Sequence, residues 1–361
     1  MSTVIHVVQH LKPGGIETMA LDLIDFKAKN ERTFIISLEG NKENAIKQWP
    51  RLKVYQKDII FLNKQHGISP LLLIKMAVLL KNLNADIVHT HHIGPLLYGG
   101  LAAKLLRINC LIHTEHDAWH LNDSHRRKLQ KTLLKLVQPV LVADAQSVAD
   151  TIRRQLKIES VKVIPNGIDT ARFIPGDKIK ARQALQLPPH IKLIGCSGRL
   201  EFVKGQHILI EALHGLPNDV HLALAGSGTM EANLQLQASQ LKLNDRIHFL
   251  GRIDNMPTFY QSLDIFCLPS LNEGFPLSPL EAQSCGIPSL VTDVGGSRET
   301  LCVECSEYVP ADNATSMTKS LFKMLNKHYL TSPRHFILSH GDVRSMADRY
   351  AELRQIGVAH V

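Results

Sequence analysis

Short apolar segments alternate with longer amphipathic segments along the whole chain. The apolar runs have the length of buried strands: Val4–Gln9, Thr33–Ser37, Ile87–Thr90, Cys110–Thr114, Val140–Ala143, Val161–Ile164, Ile191–Ser197, His221–Ala225, Arg246–Leu250, Ile265–Leu268 and Pro288–Val291. Helical periodicity lies between them, as in Leu71–Leu83, Leu97–Leu106 and Met230–Leu241. Because alternating strands and helices form parallel sheets with helices on both faces, the pattern predicts an α/β fold of doubly wound, Rossmann-like units.

The chain has 361 residues, more than one hydrophobic core usually supports, so two domains are expected. The segment from Thr170 to His190 is charged and contains prolines, which predicts an N-terminal domain of residues 1–169 and a C-terminal domain of residues 170–339. A last helix, at about 340–356, has Met346, Tyr350 and Leu353 on one face and is predicted to pack back on the N-terminal domain.

Composition limits the class of protein without choosing a partner. Hydrophobic residues make up 44% and the net charge is +8, which fits a globular protein that can contact nucleic acid, anionic lipid or an anionic substrate. No apolar run reaches the length of a membrane span, and no signal peptide is recognised, so a cytoplasmic location is expected. The six cysteines lie mostly in apolar segments, as in reduced proteins. Cys302 and Cys305 have no second pair and no nearby histidine in the sequence, so zinc is not expected there.

Three loops with candidate ligand-binding residues follow predicted strands: two contain glycines and one contains basic residues. Gly14-Gly15 opens a helix, where amides can meet a phosphate or a sugar, although a tight turn alone would also need glycine. Gly226-Ser227-Gly228 lacks the third glycine of a dinucleotide fingerprint but fits a loop beside a ligand. Arg199 and Lys204 flank one loop and fit a diphosphate, although two solvated surface charges would look the same.

Histidines are frequent in the first domain, and a metal cluster has to be considered: His89, His91, His92, His113, His116 and His120. No HExxH or HxxEH spacing occurs, so we predict no metal site and instead one functional histidine, His116, on a loop at a strand end. No two aspartates are separated by a single residue, so the DxD signature of metal-dependent sugar transferases is absent. A leaving diphosphate would then be neutralised by Arg, Lys and helix amides.

The segment from Trp119 to Val137 combines a basic cluster between Arg126 and Lys135 with regularly spaced leucines. Such a helix can lie on an anionic membrane at the inner face, and it can equally be an ordinary amphipathic helix with a solvated face.

The segment from Glu273 to Arg298 gathers acids, glycines and a helix start after a predicted strand, the place where open α/β sheets bind ligands. Glu281 lies eight residues after Glu273. With this E-x7-E signature, the chain resembles the family-four (group 1) glycosyltransferases over nearly its whole length. The other matching segments, in the same order, are Gly14-Gly15-x-Glu17, Asp86–His89, Thr114–Asp117, Ile164–Asp169 and Arg199-x4-Lys204-Gly205.

This resemblance implies a GT-B fold, with two Rossmann-like domains facing across a cleft, and a retaining, metal-independent activity without a cofactor. It implies that Arg199 and Lys204 bind the diphosphate, Glu273 the transferred sugar and Glu281 the ribose. His116 would border the sugar and the acceptor. The remaining implied contacts are amides and loops: Gly274, Phe275, Pro276 and Leu277 at sugar and phosphate, Arg252 and Ile253 at the base, Gly226 near the nucleotide, and Gly14 and Gly15 at phosphate or acceptor.

We therefore predict a transferase that moves a hexose or N-acetylhexosamine from a UDP- or GDP-sugar to a hydroxyl acceptor, such as a lipid-linked saccharide in surface polysaccharide, lipopolysaccharide or glycolipid biosynthesis. A nucleotide-sugar epimerase on the same fold and a non-catalytic binding protein remain alternatives. Nucleic acid is not expected as a partner, because aromatic residues are only 5% of the chain and none are interleaved with basic residues.

Overall fold

The computed structural model describes the backbone of residues 1–359 and the side chains of residues 1–355. These residues form two compact units, one of Met1–Asn166 with the segment from Val343 onward and one of Gly167–Asp342. Both boundaries between the units therefore lie within three residues of the domain boundaries predicted at 169 and 339. No helix in the described part of the chain is long and apolar enough to cross a bilayer.

The first unit contains a parallel sheet in the order β3-β2-β1-β4-β5-β6-β7. Its strands are β1 (Ser2–Val8), β2 (Glu31–Ser37), β3 (Ile59–Phe61), β4 (Ile87–His91), β5 (Cys110–Glu115), β6 (Val140–Ala143) and β7 (Lys162–Val163). The order reverses between β1 and β4, where His6 pairs with His89. This reversal is the position at which doubly wound sheets open a crevice at the strand ends.

Helices connect these strands: α1 (Gly15–Asp25), α2 (Lys42–Gln48), α3 (Pro70–Asn82), α4 (Ile93–Pro95), α5 (Leu101–Leu105), α6 (Ser124–Val137) and α7 (Gln146–Leu156). The predicted helix Leu97–Leu106 is divided, because residues Leu96–Gly100 form a π-helical turn before α5. A Cβ on Gly99 would lie 3.0 Å from Val7 Cγ2, so the glycine allows this turn to pack directly on the sheet.

The last helix belongs to the first unit. This helix, α15, spans Val343–Ala359 at the C-terminal end of the described chain, and its residues Met346, Tyr350 and Leu353 are buried against the sheet, as the apolar face suggested. Tyr350 Oη lies 3.0 Å from Thr114 Oγ1 on β5. Arg354 Nη2 donates to Glu31 Oε2 at 3.1 Å, so a buried ion pair also joins this helix to β2.

The second unit contains a parallel sheet in the order β10-β9-β8-β11-β12-β13. Its strands are β8 (Lys192–Ser197), β9 (Val220–Ala225), β10 (Ile247–Gly251), β11 (Ile265–Leu268), β12 (Ser289–Thr292) and β13 (Glu307–Val309). Its helices are α8 (Lys178–Ala184), α9 (Gln206–His214), α10 (Glu231–Gln240), α11 (Met256–Gln261), α12 (Ser278–Ser284), α13 (Ala314–Leu325) and α14 (Arg334–His340). The order reverses between β8 and β11, so ligands are expected beside these two strand ends.

Two edge strands, β3 and β13, were not predicted from the sequence. Each has only three residues, too few for a clear alternation of apolar and polar positions. The predicted α/β class with two doubly wound parallel sheets is confirmed.

Candidate active site

Three of the site residues predicted in the second unit lie on the loops where its strand order reverses. Arg199 and Lys204 follow β8, and Glu273 follows the neighbouring strand β11. Because parallel strands end at one edge of the sheet, these loops meet although they are about 70 positions apart in the sequence.

An ion pair joins the two loops. Lys204 Nζ lies 2.6 Å from Glu273 Oε1, and the side chains are 22% and 9% exposed. Ser270 Oγ donates to the same carboxylate oxygen at 2.6 Å. A charge-assisted contact of this length in a largely enclosed position fixes both side chains and leaves the pair at the open edge of the sheet.

Arg199 follows the same strand as Lys204 and is exposed. Its backbone carbonyl accepts a hydrogen bond from Gln206 Nε2 at 3.0 Å, which fixes the loop rather than the guanidinium. The arrangement therefore offers one fixed cation, Lys204, and one cation that is open to solvent, Arg199, at a single strand end. Two cations of this kind fit a diphosphate.

Close backbone approaches hold the loops in place. Gly205 has φ 67°, and a Cβ there would lie 2.0 Å from the carbonyl oxygen of Pro269. Gly295 has φ 54°, and a Cβ there would lie 1.9 Å from the carbonyl oxygen of Glu273. Since a side chain at either position would displace backbone, both glycines are needed for the geometry of the Lys204–Glu273 pair.

Glu281 lies in α12, the helix that follows the loop of Glu273. Tyr260 Oη donates to Glu281 Oε2 at 2.5 Å and lies 3.1 Å from Ser197 Oγ at the end of β8. Burial, followed by the charge of Glu281, raises the pKa of Tyr260 well above its usual value. The phenol therefore stays protonated and orients the carboxylate. Sequence spacing gave no signal for Tyr260, because its partner lies on another helix.

The remaining predicted contacts of this unit lie at the same edge. Residues Gly274–Leu277 are buried directly before α12. Gly226, after β9, donates its N–H to the carbonyl oxygen of Gly251 at 2.7 Å, which joins this loop to the one that carries Arg252 and Ile253. Arg252 is exposed and Ile253 is half-buried.

His116 belongs to the first unit and is almost completely buried, at 3% exposure. Its Nδ1 lies 3.1 Å from Asp144 Oδ2, and its Nε2 lies 3.0 Å from His91 Nδ1. His91 Nε2 lies 3.1 Å from His6 Nδ1. Both nitrogens of the ring predicted to border the sugar are thus bonded within the protein.

Burial determines the protonation of this array. Desolvation lowers the pKa of His6 to about 3 and that of His91 well below its usual value, so both rings are neutral. Burial also raises the pKa of Asp144 to about 6, against the opposing hydrogen bonds from His116 and Asn166. A neutral imidazole has one N–H, so an ionised Asp144 that accepts from His116 fixes the tautomer of each ring along the array.

Gly14 and Gly15 precede and begin α1, as predicted. A Cβ on Gly14 would lie 2.3 Å from Glu17 Oε2, so the carboxylate of Glu17 already lies beside this turn. His10 Nδ1 is 3.0 Å from Glu17 Oε1. A phosphate at these amides would therefore meet a negative charge, which favours an acceptor hydroxyl over a phosphate among the two ligands predicted here.

Among the described residues, two groups of side chains lie close enough together to hold a metal ion. The buried His6, His89 and His91 have ring nitrogens within 4.8 Å of one another, as do ligand atoms of Cys302, Glu304 and His335. His335 is distant from Cys302 in the sequence, so only the structure brings a histidine close to this cysteine. His335 Nε2 lies 3.7 Å from Glu304 Oε2, and the contact between these two side chains explains why the three residues lie close together.

Two family models match most of the chain. Residues 13–172 match the Glycosyltransferase Family 4 domain, and residues 177–336 match the Glycosyl transferases group 1 domain. The chain belongs to glycosyltransferase family 4. Each domain match falls almost entirely within one structural unit, and the fold of this family member is GT-B.

Curated relatives of this glycosyltransferase family member match part of its length. A lipopolysaccharide core biosynthesis mannosyltransferase of Rhizobium meliloti is 40% identical over 38% of the chain and 42% of the relative. An Escherichia coli UDP-Gal:alpha-D-GlcNAc-diphosphoundecaprenol alpha-1,3-galactosyltransferase is 30% identical over 62% of each protein. The matches thus span less than two thirds of either relative.

Solved structures resemble the whole chain. Anabaena HepE in complex with UDP and glucose superposes with a TM-score of 0.84 over 98% of this chain and 99% of that one, at 21% identity. The lipopolysaccharide outer core galactosyltransferase WaaB superposes with a TM-score of 0.74 over 98% and 99%, at 18% identity. At these identities the resemblance establishes the fold.

Proposed function

We propose that the protein is a retaining, metal-independent glycosyltransferase that moves a hexose or N-acetylhexosamine from a UDP- or GDP-sugar to a hydroxyl acceptor. The observation that carries the proposal is the Lys204–Glu273 pair at the strand ends where the second sheet reverses its order. In this proposal Lys204 and Arg199 stabilise the charge that develops on the leaving diphosphate, and Glu273 accepts hydrogen bonds from the transferred sugar.

The roles of the other residues follow from their positions. Glu281, whose carboxylate accepts a hydrogen bond from Tyr260, binds the ribose hydroxyls in this proposal. The backbone near Arg252 and Ile253 holds the base, together with the Gly226 loop. For retention of configuration, a donor phosphate oxygen takes the proton of the acceptor hydroxyl on the same face of the sugar. No protein nucleophile is needed, which accords with Lys204 already occupying one oxygen of Glu273.

The acceptor is proposed to be a lipid-linked saccharide in surface polysaccharide, lipopolysaccharide or glycolipid biosynthesis. The names of the Rhizobium and E. coli relatives support this class, since one acts in lipopolysaccharide core biosynthesis and the other on a diphosphoundecaprenol-linked sugar. A nucleotide-sugar epimerase differs in needing no acceptor, so product formation from donor alone would favour that alternative.

A thermal-shift screen with UDP, GDP and ADP tests the donor half. UDP or GDP at about 100 times its Kd is expected to add roughly 2.7 kcal/mol to the unfolding free energy, visible as a rise in Tm of several degrees. The rise should persist in EDTA, because cations of the chain neutralise the diphosphate. If none of the three nucleotides shifts Tm, the proposed function is wrong. A shift that EDTA abolishes would contradict metal independence alone.

We also propose that helix α6 contacts an anionic membrane at the cytoplasmic face. Its buried residues Leu133 and Val137 face the protein, whereas Arg126, Lys128 and Lys135 are exposed together with Leu129 and Leu136. This face combines positive charge with two apolar side chains, the composition of an interfacial helix.

Flotation with vesicles of anionic and of neutral lipid tests the membrane contact. The protein is expected to float with anionic vesicles, and the double substitution Lys128→Glu with Lys135→Glu should at least halve the floated fraction, because each Lys near the surface contributes about 1 kcal/mol. Lys180→Glu is the control, since Lys180 is 82% exposed in the other unit. Equal flotation with anionic and neutral vesicles would refute the proposal.

A further inference from the structure

His92 directly follows β4, one of the two strands between which the first sheet reverses its order. The other strand, β1, is followed by Gln9, His10 and the Gly14 turn. His92 therefore occupies, in the first unit, the same topological position that the Glu273 loop occupies in the second. Ligands of doubly wound sheets bind outside the strand ends at this position.

The backbone of His92 is strained. Its φ of 72° and ψ of 168° lie in a region that is nearly exclusive to glycine, and its φ is the largest among the non-glycine residues described with positive φ. Such a conformation costs about 1–3 kcal/mol and persists where the surroundings impose it, often at functional sites. The surroundings here are tight, since a Cβ on Gly94 would lie 2.2 Å from Gln9 Oε1. The π-helical turn at Leu96–Gly100, another irregularity found often at functional sites, follows immediately.

The side chain of His92 is partly exposed, and its ring centroid lies 5.8 Å from that of His116. Burial and then the neighbouring His116 lower the pKa of His92 to about 4, while Asp117, Glu115 and Glu17 act in the opposite direction. The imidazole is therefore neutral near pH 7 and has one N–H donor and one acceptor nitrogen.

His92 differs from the neighbouring histidines in its lack of hydrogen-bond partners. The histidines of β4, of β5 and of the segment between β5 and α6 are bonded inside the unit: His89 to Thr114, His91 to His6 and His116, His113 to Glu115, His116 to Asp144 and His120 to Gln130. Within residues 1–355, neither nitrogen of His92 forms a hydrogen bond. Its strained backbone thus presents an imidazole whose donor and acceptor are both available.

The charges around the ring indicate the chemistry of its ligand. Glu17, Glu115 and Asp117 surround a neutral imidazole with carboxylates, which disfavours a phosphate or another anion. Sugar hydroxyls are neutral and both donate and accept, so they match the two nitrogens. The donor residues Lys204, Glu273 and Glu281 belong to the other unit.

We propose that His92 binds the acceptor saccharide by hydrogen bonds to its hydroxyl groups. This inference rests on the proposed function and assigns a substrate-contacting residue that the sequence pattern does not single out from the neighbouring histidines. His116 then has a positioning role toward His92. Its ring lies beside the ring of His92, while both of its own nitrogens are bonded to His91 and Asp144.

The substitution His92→Gly tests the inference without threatening the fold, because glycine adopts the observed φ without strain. The variant is expected to keep the Tm of the wild type within a few degrees and to keep its KM for the nucleotide sugar. Its kcat/KM for the acceptor should fall at least about 10-fold, the loss expected for one or two hydrogen bonds. The wild type is first tested with a panel of octyl glycosides and alpha-D-GlcNAc-diphosphoundecaprenol. A compound that it elongates then serves as the acceptor in the kinetic assays of all variants. His92→Asn, which tolerates positive φ and keeps a donor and an acceptor, should recover part of the loss.

Asn84→Gly is the matched control, since Asn84 has φ 50° and precedes the same strand at its opposite end. It should leave the kinetics for both substrates unchanged. Wild-type acceptor kinetics in His92→Gly would overturn the inference and leave the proposed function standing, as would equal losses for donor and acceptor. A wild-type protein that binds no nucleotide and elongates no compound of the panel overturns the proposed function, and the inference fails with it.

Discussion

Replacing Lys204 by alanine is expected to lower kcat/KM for the nucleotide sugar at least ~100-fold, because a fixed cation at a leaving group contributes about 2.7–4 kcal/mol to transition-state stabilisation. The expected loss lies in kcat more than in KM, since the negative charge on the diphosphate grows as the glycosidic bond breaks. Glu273→Ala is expected to cause a comparable loss, because it removes the carboxylate proposed to bind the transferred sugar. Both are measured as initial rates of transfer at several donor concentrations.

The ion pair itself requires a further control. Lys204→Ala leaves Glu273, which is 9% exposed, without its cation, so a loop displaced by this uncompensated charge is a second explanation for a loss of activity. If Lys204 only neutralises Glu273, Lys204→Ala lowers the Tm and the double substitution Lys204→Ala with Glu273→Ala restores it. If Lys204 acts on the diphosphate, Lys204→Ala loses its activity at a Tm close to that of the wild type. Lys192→Ala is the matched control, since Lys192 begins the strand that Lys204 follows and lies 3.5 Å from Asp219. Near-normal rates in both single variants would refute the site.

The fold was predictable because its strands are buried on both faces and therefore appear as uninterrupted apolar runs, such as Ile265–Leu268. The loops at the strand ends were predictable for a related reason, since polar residues directly after a buried strand must lie at the carboxyl edge of the sheet. Arg199 and Glu273 were found in this way, and the family resemblance assigned them roles.

Contacts between distant segments were not predictable. Tyr260 orients Glu281, and His6 joins the array that ends at Asp144, yet no spacing in the sequence relates these residues. Backbone strain was equally hidden, because a histidine in an apolar context gives no sign of a φ of 72°. Glu17 was part of the matched Gly-Gly-x-Glu motif, but only the structure places its carboxylate beside the turn.

The substitution Gly205→Ala is expected to reduce both stability and activity strongly. Two costs add: an alanine at φ 67° costs about 1–2 kcal/mol, and a Cβ 2.0 Å from the carbonyl oxygen of Pro269 forces backbone apart at a further ~1–3 kcal/mol. Because Gly205 adjoins Lys204 and Pro269 lies in the loop of Glu273, the displacement separates the Lys204–Glu273 pair. A shift of about 1 Å there is expected to cost roughly 100-fold in kcat.

Gly251→Ala separates the two costs in this prediction. Gly251 has nearly the same φ, 62°, but no described atom lies within 4 Å of its Cβ position apart from its chain neighbours. Its alanine variant should therefore lose only the ~1–2 kcal/mol of backbone strain in urea unfolding. The difference between the two variants measures the close approach at Pro269. Equal losses of unfolding free energy, or full activity in Gly205→Ala, would show that the two loops are not held together by this contact. The Lys204–Glu273 pair would then have to be positioned by its side chains alone.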